Sequence, residues 1–229
     1  MRHDRRASAV RVACLHTAAS NVAVFEAARC DLGLAAGALR HEVRAELLDD
    51  AERAGGPTPE IEARACQALL DLCDGADAVL LTCSTLGPAA SAAAGVAPVP
   101  VVRVDAALAE RAVRGGGKVV ALCAVETTLG PTRALFEAVA RATGAGVEIR
   151  LVPDAWAAFK AGDHDRYLAA VARAADEAAR GGASCVALAQ ASMAGAAGLG
   201  TVHPPPLAGP AVGLRAAVTA AERAAAGDR

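Results

Sequence analysis

Short β-branched runs separated by long alanine-rich stretches are the feature that most restricts this 229-residue chain. Strands of that kind, apolar on both faces and joined through helices, assemble into parallel sheets. The strand candidates are 10–15, 39–43, 78–82, 99–104, 118–123, 147–152 and 184–188. Helical stretches fall between them at 20–30, 59–73, 86–94, 106–114, 128–143 and 164–180, and the last of these runs into Gly181-Gly182, a stop signal. A closing helix from 207 to about 226 follows the prolines 204–206. Seven strands in one sheet would be wide for a chain of this length, so two smaller sheets facing each other are expected. Pro98 and Pro100 mark the boundary. The expected organisation is therefore an α/β fold with a first lobe over 1–98, a second over 99–205, and a C-terminal helix over 206–229 that returns to the first lobe.

Composition removes several function classes. Five aromatic residues, a net charge of -2 and a pI near 6.2 leave neither stacking platforms nor a basic surface, which excludes a nucleic-acid partner. No run of about 20 uncharged apolar residues exists to cross a bilayer, and Arg11 and His16 interrupt the apolar part of the opening, so neither a membrane span nor a signal peptide is expected. The seven cysteines form no CxxC pair and several sit in apolar runs, the pattern of free thiols in a reducing cytoplasm.

Ligands of open parallel sheets bind beyond the carboxyl ends of the strands. The first strand is followed by His16, Thr17, Ser20 and Asn21. The third leads into Cys83, Ser84 and Thr85, the fifth into Glu126, Thr127 and Thr128, and the seventh into Gln190 and Ser192. Any one of these hydroxyls reads equally as a helix cap. Four such strand ends together describe a cleft of hydroxyl and N–H donors, suited to a carboxylate or an enolate. No Asp/His cluster stands at the strand ends, so no metal is expected there.

Cys83 sits at a strand-to-helix turn, where a helix dipole would lower a thiol pKa; an inert buried cysteine is the other reading of the same position. His16 reads either as a cleft residue, even a base for Cys83, or as a satisfied core histidine. The glycines at 115–117 precede a strand, and Gly195, Gly198 and Gly200 have the wrong spacing for a dinucleotide or phosphate loop, so nucleotide binding is not expected.

The segments LLTCSTLGPA (80–89), VETTLGPT (125–132) and LAQASM (188–193) resemble the Asp/Glu racemase superfamily, and most closely a subgroup carrying TCS and LAQASM signatures. ACLHT (13–17), HEVRAELL (41–48) and VVRVDAALAERAV (101–113) extend the resemblance over most of the chain. It implies two pseudo-symmetric parallel-sheet lobes with the active site between them, a homodimer, and proton transfer beside a carboxylate without a cofactor. It puts Cys83 in the first-lobe cysteine position, with Ser84 and Thr85 in the oxyanion-binding segment. Thr127 and Thr128 become the hydroxyl pair that holds a substrate carboxylate. Gln190 falls where the second-lobe cysteine of two-thiol members stands, and an amide cannot exchange protons as a thiol does. A racemase or isomerase of a small carboxylate follows, with a one-cysteine decarboxylase or lyase next, and a non-catalytic small-acid binding protein as the other class.

Overall fold

The computed structural model describes residues 10–227; the basic opening at 1–9 and residues 228–229 lie outside it. The apolar runs pair into two four-stranded sheets, every pair parallel. The first contains β1 (Val12–His16), β2 (Leu39–Val43), β3 (Ala78–Leu81) and β4 (Val101–Arg103) in the order β2-β1-β3-β4. The second contains β5 (Lys118–Cys123), β6 (Gly146–Leu151), β7 (Cys185–Leu188) and β8 (Leu207–Ala208) in the order β6-β5-β7-β8. The two orders are the same, so β1 corresponds to β5 and β3 to β7. Register keeps that symmetry: Leu15 stands beside Leu81 in one sheet, and Leu122 beside Leu188 in the other.

The helices are α1 (Ser20–Asp31), α2 (Ala45–Ala54), α3 (Pro59–Asp71), α4 (Gly87–Ala94), α5 (Val104–Val113), α6 (Leu129–Ala140), α7 (Ala155–Lys160), α8 (His164–Arg180) and α9 (Gly209–Ala226). Local chemistry starts several of them. Thr58 caps α3 by accepting from the Ile61 N–H, with Pro59 preset for the first turn, and Asp163 caps α8 by accepting from the Arg166 N–H. Alternation then sorts the strands' side chains. Ala13 and Leu15 of β1 pack with Leu47, Leu69 and Leu81, while Val12 and Cys14 pack on the other face with Phe25 and Leu214. Each buried leucine contributes about 1.5–3 kcal/mol relative to exposure.

Leu214 belongs to α9, which therefore returns to the first sheet. Its approach depends on small residues: a Cβ added at Gly209 or Gly213 would lie 2.7 Å from a Val104 methyl.

Three details differ from the sequence reading. β4 pairs with β3, so the first sheet runs through Arg103 and past the boundary expected at Pro98. Leu207 and Ala208 pair with β7 as an edge strand, where a helix was expected, and α9 begins at Gly209. The helices α2 and α7 were not anticipated; α7 has six residues and follows Pro153 and Asp154, the latter left-handed at φ 59. No described helix is long and apolar enough to cross a membrane.

Candidate active site

Three strand ends are built the same way. Cys83, two residues beyond β3, is extended (φ -101, ψ 116) and opens a 3-10 turn at Ser84–Leu86. Gln190, two residues beyond β7, is extended (φ -122, ψ 141) and opens the turn Ala191–Gly198. Val125, after β5, is extended (φ -104, ψ 124) and opens Glu126–Thr128. These turns face a cleft of about 50 Å³ between the two sheets, room for a small molecule only.

Thr17, Asn21, Cys83 and Ser84 line this cleft, as do Thr85, Thr128, Gln190 and Ser192. Residues as far as 175 positions apart in sequence, Thr17 and Ser192, thus meet only because both sheets expose equivalent ends. No Lys, Arg, Asp or Glu is among the lining residues, so an anion here would be held by hydroxyls, amides and backbone N–H groups.

The half-buried Cys83 thiol sits above its ordinary range, because burial disfavours the thiolate. The Thr17 hydroxyl, the Leu86 and Thr85 N–H groups and the Thr85 hydroxyl pull in the other direction. The lowered pKa expected from a helix dipole is thus corrected: Cys83 opens a three-residue 3-10 turn, not a long helix, and desolvation dominates.

Opposite Cys83 in the pseudo-symmetry, the Gln190 Oε1 accepts from the N–H groups of Ala124 and Val125, the latter at 3.2 Å. Its carbonyl end is therefore committed to its own lobe, which leaves the Nε2 amide as a donor. The Ser192 hydroxyl lies 2.7 Å from the hydroxyl of buried Tyr167, whose pKa burial pushes up to about 12. The Thr128 hydroxyl donates to the Val125 carbonyl at 2.6 Å, so only its lone pairs remain for a ligand.

Three expected residues do not line the cleft. Ser20 is exposed in the first turn of α1. The Thr127 hydroxyl oxygen is buried without a hydrogen-bond partner and its residue lies outside the lining. His16 is fully buried behind the wall, with Nδ1 2.9 Å from the Thr82 hydroxyl and Nε2 2.9 Å from His41 Nδ1. Burial and then neighbouring His41 push its pKa down to about 4. Both ring nitrogens are engaged away from Cys83, so His16 is a satisfied core histidine and not a base for that thiol.

Sequence reading missed the aromatic wall. Trp156 and Phe159 of α7 stack at 4.9 Å, nearly parallel, and both line the cleft. The pair was visible as two aromatics three apart in an aromatic-poor chain, but the helix carrying it was not. Leu48 and Val125 add to the apolar side, and Thr82 borders the cleft with its hydroxyl committed to the Leu15 carbonyl and His16.

Comparison with known proteins agrees with this architecture. No curated protein matches the chain in sequence. Among solved structures, aspartate racemase from Picrophilus torridus is similar at TM-score 0.67 and 13% identity, covering 94% of this chain and 95% of that one. Allantoin racemase from Klebsiella pneumoniae is similar at TM-score 0.65 and 18% identity, covering 95% and 89%. Glutamate racemase from Thermus thermophilus, in complex with β-chloro-D-alanine, is similar at TM-score 0.62 and 18% identity, covering 96% and 82%. At such identities these likenesses speak to the fold. The sequence profile described as Asp/Glu/hydantoin racemase matches residues 19–217, most of the length, and the chain belongs to that family.

Proposed function

We propose that this protein is a cofactor-independent racemase or isomerase of a small carboxylate, in which Cys83 moves the proton on the carbon beside the carboxylate. The observation that carries the reading is the position of Cys83, which is the one thiol among the cleft-lining residues and is surrounded by hydroxyl and N–H donors. The thiolate form of Cys83 removes the proton and the enolate charge develops next to the turn at Ser84 and Thr85. A preorganised donor at such a position is worth about 3–4 kcal/mol of barrier. Thr17, Asn21 and Thr128 hold the substrate's polar groups from either side, and Gln190 Nε2 orients a carbonyl oxygen. Ser192, paired with Tyr167, borders the opposite wall. Trp156 and Phe159 exclude water from the apolar side, which strengthens each of these interactions.

A second reading is favoured by Gln190. An amide in place of a second thiol leaves proton delivery to one face, as a decarboxylase or lyase requires: loss of CO₂ gives an enolate that the Cys83 thiol protonates. The raised thiol pKa keeps that proton in place before substrate arrives.

One experiment separates the outcomes. A panel of small chiral and unsaturated carboxylates is incubated in D₂O and followed by NMR together with CO₂ release. Exchange or inversion beside the carboxylate that is lost in Cys83→Ala supports the first reading. CO₂ release lost in the same variant supports the second. Turnover that survives Cys83→Ala, or ligand binding without turnover, overturns both. The same reading carries a homodimer and a cytoplasmic location, the first checked by light scattering and the second by fractionation of the native cell.

A further inference from the structure

A second cluster of reactive side chains lies behind the cleft, on the face of the first sheet covered by α1 and α9. Cys14 and His16 are two apart on β1 and so share a face, and register places His41 of β2 directly beside Cys14. Their donor atoms all lie within 4.8 Å of one another. A tetrahedral zinc-class ion, with Zn–N near 2.0–2.1 Å and Zn–S near 2.3 Å, holds such donors roughly 3.3–3.6 Å apart. The two inner nitrogens are 2.9 Å apart and the thiol is within 4.8 Å of both, so the set brackets that spacing.

Hydrogen bonding has already selected the nitrogens. The Thr82 hydroxyl donates to the Leu15 carbonyl at 2.9 Å, so it accepts from His16 Nδ1 and leaves the Nε2 lone pair directed at His41. His41 Nε2 donates to the Glu26 carboxylate at 3.1 Å, which turns Nδ1 toward His16. Each ring thus has an outer partner holding it and an inner nitrogen facing the other, the arrangement that orients histidine ligands around metals. The other Glu26 oxygen pairs with Arg29. Phe25, packed 5.2 Å from the His16 ring, shields the site, and partial exposure of His41 gives access from solvent.

We propose that Cys14 Sγ, His16 Nε2 and His41 Nδ1 bind a zinc-class divalent ion, with a fourth position left for water. Binding forms one metal–sulfur and two metal–nitrogen bonds. It displaces the Cys14 thiol proton to solvent, while the two inner imidazole nitrogens bind through their lone pairs. The ion ties edge strand β2 to β1. This inference is independent of the activity proposed for the cleft.

Titration of the purified protein with Co²⁺ tests it. The expected result is one equivalent bound, with a near-ultraviolet thiolate charge-transfer band and the intense visible bands of a tetrahedral ion, both bleached by Zn²⁺. Cys14→Ala removes the charge-transfer band, and Cys83→Ser retains it. His41→Ala abolishes tight binding, and Glu26→Gln weakens it about 10-fold. Absence of these bands in the wild-type protein, or bands that survive Cys14→Ala and vanish in Cys83→Ser, overturns the site.

Discussion

The two lobes share a strand order, a register and the shape of their strand-end turns, yet present opposite chemistry to the cleft. Cys83 and Gln190 occupy equivalent positions, each two residues past its strand and each opening a 3-10 turn. In the first lobe the neighbouring strand end supplies the Thr17 hydroxyl to the Cys83 sulfur. In the second it supplies the Ala124 and Val125 N–H groups to the Gln190 carbonyl. One scaffold therefore carries a group able to exchange a proton on one side and a fixed amide on the other. Backbone symmetry sets where the groups stand. Side-chain identity decides which of them can exchange a proton.

Replacing the reactive half of that pair has the largest expected effect. Cys83→Ala lowers isotope exchange or turnover by about 10²–10⁴-fold, the usual contribution of a positioned acid or base, as read by NMR on a substrate found in the carboxylate panel. Residual activity near wild type would break the asymmetry between the lobes.

The other half is expected to be structural as well as polar. Gln190→Ala removes the acceptor from two buried N–H groups, which costs about 1–3 kcal/mol of stability, measured by denaturant unfolding. An unchanged midpoint would mean that those N–H groups find another partner and that Gln190 is free to act on the ligand alone.

Tyr167→Phe takes the partner from the Ser192 hydroxyl and is expected to cost about 1 kcal/mol, with the variant still folded because the ring stays in place. If turnover falls together with stability, the second lobe contributes more to the chemistry than an amide alone.

The smallest effect is in pH dependence. The Cys83 thiol is raised by burial, so its thiolate appears only as pH climbs beyond the ordinary thiol value of about 8.5. Alkylation of Cys83, mapped by mass spectrometry, therefore rises with pH through and above that value, after the exposed Cys30 has reacted. The sign for stability is the same in origin: the folded state retains this proton longer than the unfolded chain, so its contribution declines as pH rises past the ordinary thiol range. A Cys83 midpoint below that of a free thiol would show that the local donors outweigh desolvation.

Much of the fold was legible because period and composition carry it. The runs at 39–43 and 118–123 become β2 and β5 without shift, and the segment 164–180 becomes α8 as read. The reading failed where elements are short or where tertiary pairing overrides local preference. The two residues of β8 are extended only because β7 lies beside them. The helix α7, six residues long, is too brief to show a period, and it hid the Trp156–Phe159 wall.

The site divides along the same line. Placing Cys83, Ser84, Thr85, Thr128, Gln190 and Ser192 at strand ends needed only the sequence, because in a parallel sheet every such end points to one edge. Side-chain direction did not follow from position. His16 ends β1 as expected, but alternation sends its ring into the layer beneath α1, where it meets His41 from a strand 25 residues away.

The sequence by itself therefore determined a two-lobed parallel α/β protein with hydroxyls, amides and Cys83 at its strand ends, since hydrophobic period and strand-end composition are local properties. The tertiary structure alone decided that desolvation outweighs the donors around Cys83, that Gln190 is pinned to its own lobe, and that Cys14, His16 and His41 converge. Burial, hydrogen-bond partners and register are properties of packed neighbours, which no local stretch of chain contains.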